Sequence, residues 1–204
     1  MKKLALVMVL ILSITAFAAC NNKSANKPSR DNPLVADDVL AEKITNFSAV
    51  IEYSPLNDVK KTLTYKVMPN KLYYYGLRGG SEENVTMIVD YTEQTYIVTA
   101  VDSLTAVKMA VNETVQTVDY EPTKFLSVDV TGYTAGDAVQ IAGRAATTYT
   151  NNGATAIIDD ETGACLSYDK GEESWVVTEL QIGSVTEADF VLSEEYEVND
   201  LSKI

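Results

Sequence analysis

Histidine is absent from this sequence of 204 residues, and only two cysteines are present, Cys20 and Cys165. Without imidazole there is no Ser-His-Asp triad, no Cys-His pair and no histidine ligand for a metal. Two cysteines are too few for a structural zinc site or a disulfide framework. We therefore predict that the protein is not an enzyme, with no catalytic residue, no bound metal and no cofactor.

Basic residues are scarce as well. Lysine and arginine number 16 against 29 aspartate and glutamate, which gives a formal net charge of −13. A chain of this charge repels the phosphates of nucleic acids and the headgroups of anionic lipids, so the net charge argues against both as electrostatic partners. Hydrophobic residues make up 46% of the chain, an ordinary proportion for a globular domain.

One long apolar run is present, at residues 4–15, after the basic start Lys2-Lys3. It is too short to span a bilayer, which needs about 20 residues, and it fits the apolar region of a secretory signal peptide. The sequence Phe17-Ala18-Ala19-Cys20 that follows resembles the bacterial lipobox. The resemblance implies cleavage before Cys20, attachment of acyl chains such as palmitate there, and an extracytoplasmic protein anchored to the cell membrane or the outer membrane. The alternative is an ordinary cleaved signal with an incidental cysteine.

The whole sequence divides into three segments. We predict a lipoprotein signal peptide at 1–19, a lipidated cysteine with a flexible polar tether at 20–32, and a single domain at 33–204.

The sequence pattern of this domain predicts the α+β class. Residues 33–44 carry helical spacing behind a proline at the first position, and residues 112–119 suggest a mid-chain helix that ends at Pro122, after which Phe125 and Leu126 return to the core. Alternation of apolar and polar residues predicts strands, about 9–11 in all. We place them at 47–53, 63–67, 72–76, 85–89, 96–98, 106–109, 139–149, 154–158, 164–168 and 174–182.

Five segments resemble the LolA/LolB superfamily of lipoprotein carriers. They are VLAEKITNFSAVIEYS at 39–54, MIVDYTEQTYIV at 87–98, IAGRAATTYT at 141–150, IIDDETGACLSYD at 157–169 and VTEADF at 185–190. The resemblance extends over residues 34–197. It implies a curled antiparallel sheet, an open half-barrel, whose concave face is covered by the N-terminal and mid-chain helices and holds acyl chains in the carrier members.

Apolar and aromatic strand residues are the candidates for lining such a cavity, because tyrosine offers an apolar ring and a hydroxyl that reaches water. The alternative is that they form the core of a small sheet domain. The candidates are Phe47, Ile51, Tyr53, Leu63, Tyr65, Leu72, Tyr74, Met87, Trp175 and Val177.

Two functions follow from these patterns. The first is a membrane-anchored, non-enzymatic lipoprotein that binds a lipid or another apolar small molecule. The second is an envelope sensor or scaffold lipoprotein that binds a protein partner and no small ligand. A calcium site at Asp159-Asp160-Glu161 is a weaker interpretation, because the spacing fails the EF-hand pattern and suits a tight turn.

Overall fold

A computed structural model describes most of the domain from Ile44 onward. The described residues are 44–55, 60–77, 83–99, 104–111 and 122–203. Several predictions lie outside them: the signal peptide, Cys20, the tether, the helix at 33–44 except Ile44, and the helix at 112–119. Within the described residues, no helix is long and apolar enough to cross a bilayer.

Twelve strands run through these residues. The first six are β1 (Phe47–Ser54), β2 (Lys61–Met68), β3 (Lys71–Leu77), β4 (Asn84–Asp90), β5 (Thr95–Thr99) and β6 (Thr105–Ala110). The later six are β7 (Thr134–Ile141), β8 (Arg144–Asn151), β9 (Ala154–Asp159), β10 (Cys165–Asp169), β11 (Ser174–Ile182) and β12 (Glu197–Asp200). A short helix, α1 (Thr123–Leu126), precedes β7, and a 3-10 turn (Glu187–Phe190) follows β11.

All twelve strands belong to one open sheet, in the order β12-β6-β5-β4-β3-β2-β1-β11-β10-β9-β8-β7. The first half of the chain forms an antiparallel meander from β1 to β6, and the second forms another from β7 to β11. The two halves meet where β11 pairs antiparallel with β1, and β12 then pairs parallel with β6 at one end of the sheet. Two local meanders are thereby joined by a single long-range pairing.

One face of the sheet carries the main core. The strands near the centre alternate buried and partly exposed residues, as β1 and β2 show. Because side chains alternate between the two faces of a strand, the buried set lies on one side. We call this side the inner face and the opposite side the outer face.

The predicted α+β class is wrong for the described residues, 59% of which lie in strands. Helical structure there is limited to α1 and the 3-10 turn, so two helices covering a concave face are not part of the described fold. The sheet also exceeds the predicted strand number, because β7 and β12 were not recognised as separate strands.

One predicted strand, 139–149, is in fact a hairpin. The chain turns at Ala142-Gly143, whose φ angles are 52° and 74°, and β7 and β8 pair on either side. Two consecutive positive φ angles are what a tight two-residue hairpin needs, and glycine adopts them without steric penalty. The preceding strand β7 is mostly exposed, so it lacks the alternation that would have marked it.

Part of the outer face is covered by the segment 183–192, which we call the strap. Val185 and Phe190 of the strap form a second buried cluster with Ile88 of β4, and Met68, Tyr73, Ile97 and Leu192 pack against it. The side chain of Asn46 accepts a hydrogen bond from the Val185 N–H and donates one to the Val185 carbonyl, at 3.0 and 2.9 Å. The strap thus begins at a fixed point beside β1.

Two ion pairs hold the strap to the sheet. Lys66 Nζ lies 2.6 Å from Asp189 Oδ1, and Lys71 Nζ lies 2.6 Å from Glu187 Oε2. The hydrogen bond from Lys66, followed by that from the Thr186 N–H, lowers the pKa of Asp189 to about 2. A carboxylate whose pKa is depressed in the folded state stabilises that state while it is ionised.

We expect Asp189→Asn to reduce the free energy of unfolding by about 1 kcal/mol near pH 6, allowing for solvent screening of a partly exposed pair. The contribution is present above the usual aspartate pKa of 3.8 and disappears as the pH falls towards about 2. Urea unfolding at pH 6, 4 and 2.5 should therefore show the wild-type and variant curves converging. Asp137→Asn on the exposed strand β7 is the control, and a difference that stays constant with pH would contradict the assignment.

Candidate functional site

All of the proposed cavity residues lie on the inner face. Strand register aligns them in rows, because residues directly opposite each other in neighbouring strands share a face. One row runs Phe47, Val67, Leu72, Val89, Tyr96, and the next runs Ala49, Tyr65, Tyr74, Met87, Val98. Ile51 stands between Leu63 and Val177, and Tyr53 stands opposite Trp175.

Apart from Tyr53, which is partly buried, every proposed cavity residue is buried, and all of them belong to or pack against one hydrophobic cluster. The structure therefore brings the proposed set together as a continuous apolar surface that crosses β4, β3, β2, β1 and β11.

Aromatic rings concentrate at one part of this surface. We define the aromatic cluster as Tyr53, Tyr65, Tyr74, Phe125, Tyr168 and Trp175. The Phe125 ring is central: its centroid lies 5.3 Å from that of Tyr53, 5.5 Å from that of Trp175 and 6.3 Å from that of Tyr65. Tyr168 stacks on Trp175 at 4.6 Å, and Tyr65 lies 5.3 Å from Tyr74. These distances are typical of favourable edge-to-face and offset-stacked pairs.

Helix α1 places Phe125 in the cluster. The backbone N–H groups of Phe125 and Leu126 both donate to the Pro122 carbonyl, at 3.0 and 2.9 Å, so the turn begins at that proline. Both side chains are buried, as the sequence predicted. The Trp175 indole N–H donates to the Phe125 carbonyl at 3.0 Å. This bond links the helix backbone to β11 at the site where the Phe125 ring is inserted.

Polar groups border the aromatic cluster where it meets solvent. The Tyr53 hydroxyl donates to Glu173 Oε1 at 2.8 Å. Lys124, next to Phe125, is exposed, and its Nζ lies 5.8 Å from the centre of the Tyr53 ring. Sequence reasoning missed Lys124 and Tyr168 as members of this site. Tyr168 carried a weak signal, because it lies in a predicted strand, whereas nothing in the sequence distinguishes Lys124 from other lysines.

Two ionisable groups of the inner face, Tyr65 and Cys165, are uncharged at neutral pH. Burial, and to a lesser extent the neighbouring Tyr74, raises the pKa of Tyr65 well above its usual value. Burial likewise raises the pKa of the Cys165 thiol to about 12, so the nucleophilic thiolate is scarce at pH 7. Chemically, the inner face offers apolar and aromatic contact, with hydroxyls at its margin.

The acidic residues Asp159, Asp160 and Glu161 have partners from the protein itself. Arg144 donates from Nε and Nη2 to Asp159, at 2.9 and 3.1 Å, and from Nη2 to Glu161 at 2.7 Å. Asp159 also accepts hydrogen bonds from the N–H and hydroxyl of Thr162, and Asp160 accepts one from Thr147. The segment is a turn organised around a buried carboxylate. Among the described residues, no group of three Cys, Asp or Glu side chains is arranged to hold a metal ion.

Comparison with known proteins gives structural similarities at low identity. No protein-family model matches the chain, and no curated protein matches it significantly. An uncharacterized conserved protein from Thermus thermophilus is 13% identical with a TM-score of 0.48, over 80% of this chain and 95% of that one.

Two further solved structures are similar over much of this chain. MucB is 16% identical with a TM-score of 0.37, over 77% of this chain and 61% of that one. A LolA superfamily protein from Nitrosomonas europaea is 8% identical with a TM-score of 0.31, over 76% of this chain and 96% of that one. At these scores the similarities do not determine a function. The function is therefore inferred from the contacts of the inner face and the aromatic cluster.

Arg144 is predicted to be essential for the turn at Asp159. Burial raises the pKa of Asp159, but the hydrogen bonds from Arg144 and Thr162 outweigh it, and the pKa lies below its usual value. Arg144→Ala leaves this carboxylate buried without its cation, and we expect the free energy of unfolding to fall by about 3 kcal/mol. Chemical denaturation measures this loss.

The double variant Arg144→Ala/Asp159→Asn should recover part of the loss, because the uncompensated charge is then removed. A double variant that is less stable than Arg144→Ala would contradict this account of the turn.

Proposed function

We propose that this protein is a lipid-anchored, extracytoplasmic lipoprotein without catalytic activity, whose inner face binds an acyl chain or another hydrophobic ligand beneath α1. The observation that carries the proposal is the insertion of one ring, Phe125, into the aromatic cluster from a helix of four residues. That ring occupies the position that a ligand would take.

The attachment of α1 supports its role as a displaceable cover. A single helical turn has little stability of its own, because fixing its first residues gains few hydrogen bonds. In the described structure it is held to the sheet by the packing of Phe125 and Leu126, by the bond from the Trp175 indole to the Phe125 carbonyl and by the contact of Lys124 with the Tyr53 ring. Exchanging the phenyl ring for an acyl chain would keep the apolar surface covered.

The lining residues suit a lipid. The rows that begin at Phe47 and Ala49 cross β2, β3 and β4, and beside the aromatic rings they bury the aliphatic side chains of Leu72, Met87 and Val89. Methionine and leucine side chains adapt to an irregular apolar guest, and the tyrosine rings add apolar contact. Such a mixture of apolar lining with few polar groups is typical of ligand sites.

The membrane anchor and the absence of catalysis rest on the sequence. The lipobox-like Phe17-Ala18-Ala19-Cys20 supports acylation of Cys20, and the polar residues that follow would separate the domain from the bilayer. The lack of histidine and the raised pKa of Cys165 support a binding protein over a hydrolase.

Native mass spectrometry of the full-length protein, released from detergent micelles, tests whether the protein binds a lipid non-covalently. We expect a lipid adduct in addition to any covalent acyl groups, and extraction with organic solvent should remove this adduct but leave the covalent groups. A protein that carries no removable lipid, and gains none when fatty acids or phospholipids are added, would contradict the proposal. That outcome would favour the alternative of a scaffold that binds a protein partner.

A matched pair of variants tests whether the ligand binds beneath α1. Phe125→Ala and Phe190→Ala each remove one buried phenyl ring, the first from the inner face and the second from the strap on the outer face. Each should lower the free energy of unfolding by about 3 kcal/mol. Only Phe125→Ala should raise lipid occupancy, by several-fold, because it removes the internal competitor and leaves an apolar gap.

The readout is the ratio of lipid-bound to lipid-free protein in the native mass spectrum at a fixed lipid concentration. Equal ratios for Phe125→Ala and Phe190→Ala would place the ligand elsewhere than beneath α1.

A further inference from the structure

Lys124 differs from the lysines of the described structure that are paired with carboxylates. Several lysines make ion pairs with carboxylates: Lys60 with Glu52, Lys66 with Asp189, Lys71 with Glu187 and Lys108 with Glu93. Lys124 has no carboxylate partner among the described residues, although acidic residues outnumber basic ones by 29 to 16 in the chain. Its ammonium group lies instead over two aromatic rings, 5.8 Å from the centre of Tyr53 and 5.6 Å from the centre of Phe125.

This arrangement puts a cation at the boundary between the aromatic cluster and water. Phe125 is buried in the cluster, and the next residue towards the N-terminus, Lys124, is exposed. An ammonium over ring faces is attracted to them modestly at an exposed position. Its three N–H donors are only partly engaged by such a contact, so it retains the capacity to bind an anion.

We infer that the hydrophobic ligand of the inner face is an amphiphile with an anionic headgroup, a carboxylate or a phosphate, and that Lys124 binds this headgroup at the margin of the aromatic cluster. The inference rests on the proposed function and specifies its ligand class. With the chain beneath α1 and the headgroup at Lys124, both parts of the amphiphile meet a matching surface.

The acidic neighbour Glu173 restricts where an anionic headgroup can bind. Glu173 accepts the hydrogen bond of the Tyr53 hydroxyl, so a carboxylate already stands at that end of the ring. Like charges repel at short range, so an anionic headgroup is disfavoured beside Glu173 and favoured at the Lys124 ammonium. The overall charge of −13 repels anions from the rest of the surface in the same way.

The chain's single tryptophan provides the measurement, because Trp175 contacts Phe125 directly. Bromine atoms on a lipid chain quench indole fluorescence on contact. The full-length protein in dodecyl maltoside micelles is titrated with dibromostearate, which is anionic, and with its methyl ester, which has the same chain and no charge. The variants are Lys124→Gln, Lys124→Arg and, as a control for loss of an exposed charge near the C-terminus, Lys203→Gln.

We expect Lys124→Gln to weaken quenching by dibromostearate by about threefold to fivefold, as for an exposed charge pair. Quenching by the methyl ester should remain unchanged, Lys124→Arg should restore the wild-type affinity for the acid, and Lys203→Gln should alter neither. An equal effect of Lys124→Gln on both lipids, or no effect on either, would overturn the inference. Absence of quenching by both lipids in the wild type would instead overturn the proposed function itself.

A competition experiment distinguishes a carboxylate headgroup from a phosphate headgroup. Stearoyl lysophosphatidylglycerol, with an anionic phosphate, and stearoyl lysophosphatidylcholine, which is zwitterionic, are added to the protein loaded with dibromostearate. Preferential recovery of fluorescence with the first assigns a phosphate headgroup, and recovery with stearate alone assigns a carboxylate. Equal recovery with both lysolipids, in the wild type and in Lys124→Gln, would refute recognition of charge.

Discussion

The pairing of β1 with β11 is the contact on which the rest of this fold depends. Each of the two meanders is built from neighbouring segments, but this one ladder joins residues 47–54 to residues 174–182. It makes one sheet from two and makes the inner face continuous. The aromatic cluster exists only because of it, since Tyr53 comes from β1 and Trp175 from β11, and Phe125 packs between them. Closing such a long loop is entropically unfavourable, so the buried rings of this junction must compensate for it.

The same junction shows how much of the fold and the site the sequence could predict. Strict alternation located the strands of the first meander and placed the proposed cavity residues on one face, because a residue's face follows from its parity within a regular strand. Alternation fails where the ladder shifts by one residue between Val50 and Ile51. There Thr178 is the additional residue of β11, its hydroxyl donates to the Val50 carbonyl, and the next buried residue after Val177 is Leu180. A bulge of this kind depends on the partner strand, which lies more than a hundred residues away, and no local pattern encodes it.

The elements that the sequence did not reveal share a physical cause. Strand β7 is exposed along most of its length, and only Val139 and Ile141 near its end pack against the core, so burial imposes little pattern on it. Strand β12 has four residues and is defined by its parallel pairing with β6, a long-range contact. The strap is held by side chains that are distant in sequence: Asn46 just before β1, Lys66 in β2 and Lys71 in β3. Local sequence determines local alternation and turns, whereas these elements are stabilised by contacts that exist only after the sheet has formed.

The two covers of the sheet differ in a way that bears on function. The strap is fixed by ion pairs and by paired hydrogen bonds at Asn46, and the chain that follows it is fixed by the ladder of β12. Helix α1 is held by its packed side chains, one indole hydrogen bond and the contact of Lys124 with the Tyr53 ring. Displacing the Phe125 ring exposes apolar surface worth about 3 kcal/mol. Burial of each ligand methylene contributes about 0.8 kcal/mol of favourable free energy. Roughly four methylenes therefore offset the free energy that is lost when the Phe125 ring is displaced. Under the proposed function, a long acyl chain would bind with a surplus of free energy and a short-chain acid would not. Chain length, before headgroup charge, would then be the first selection that the inner face imposes.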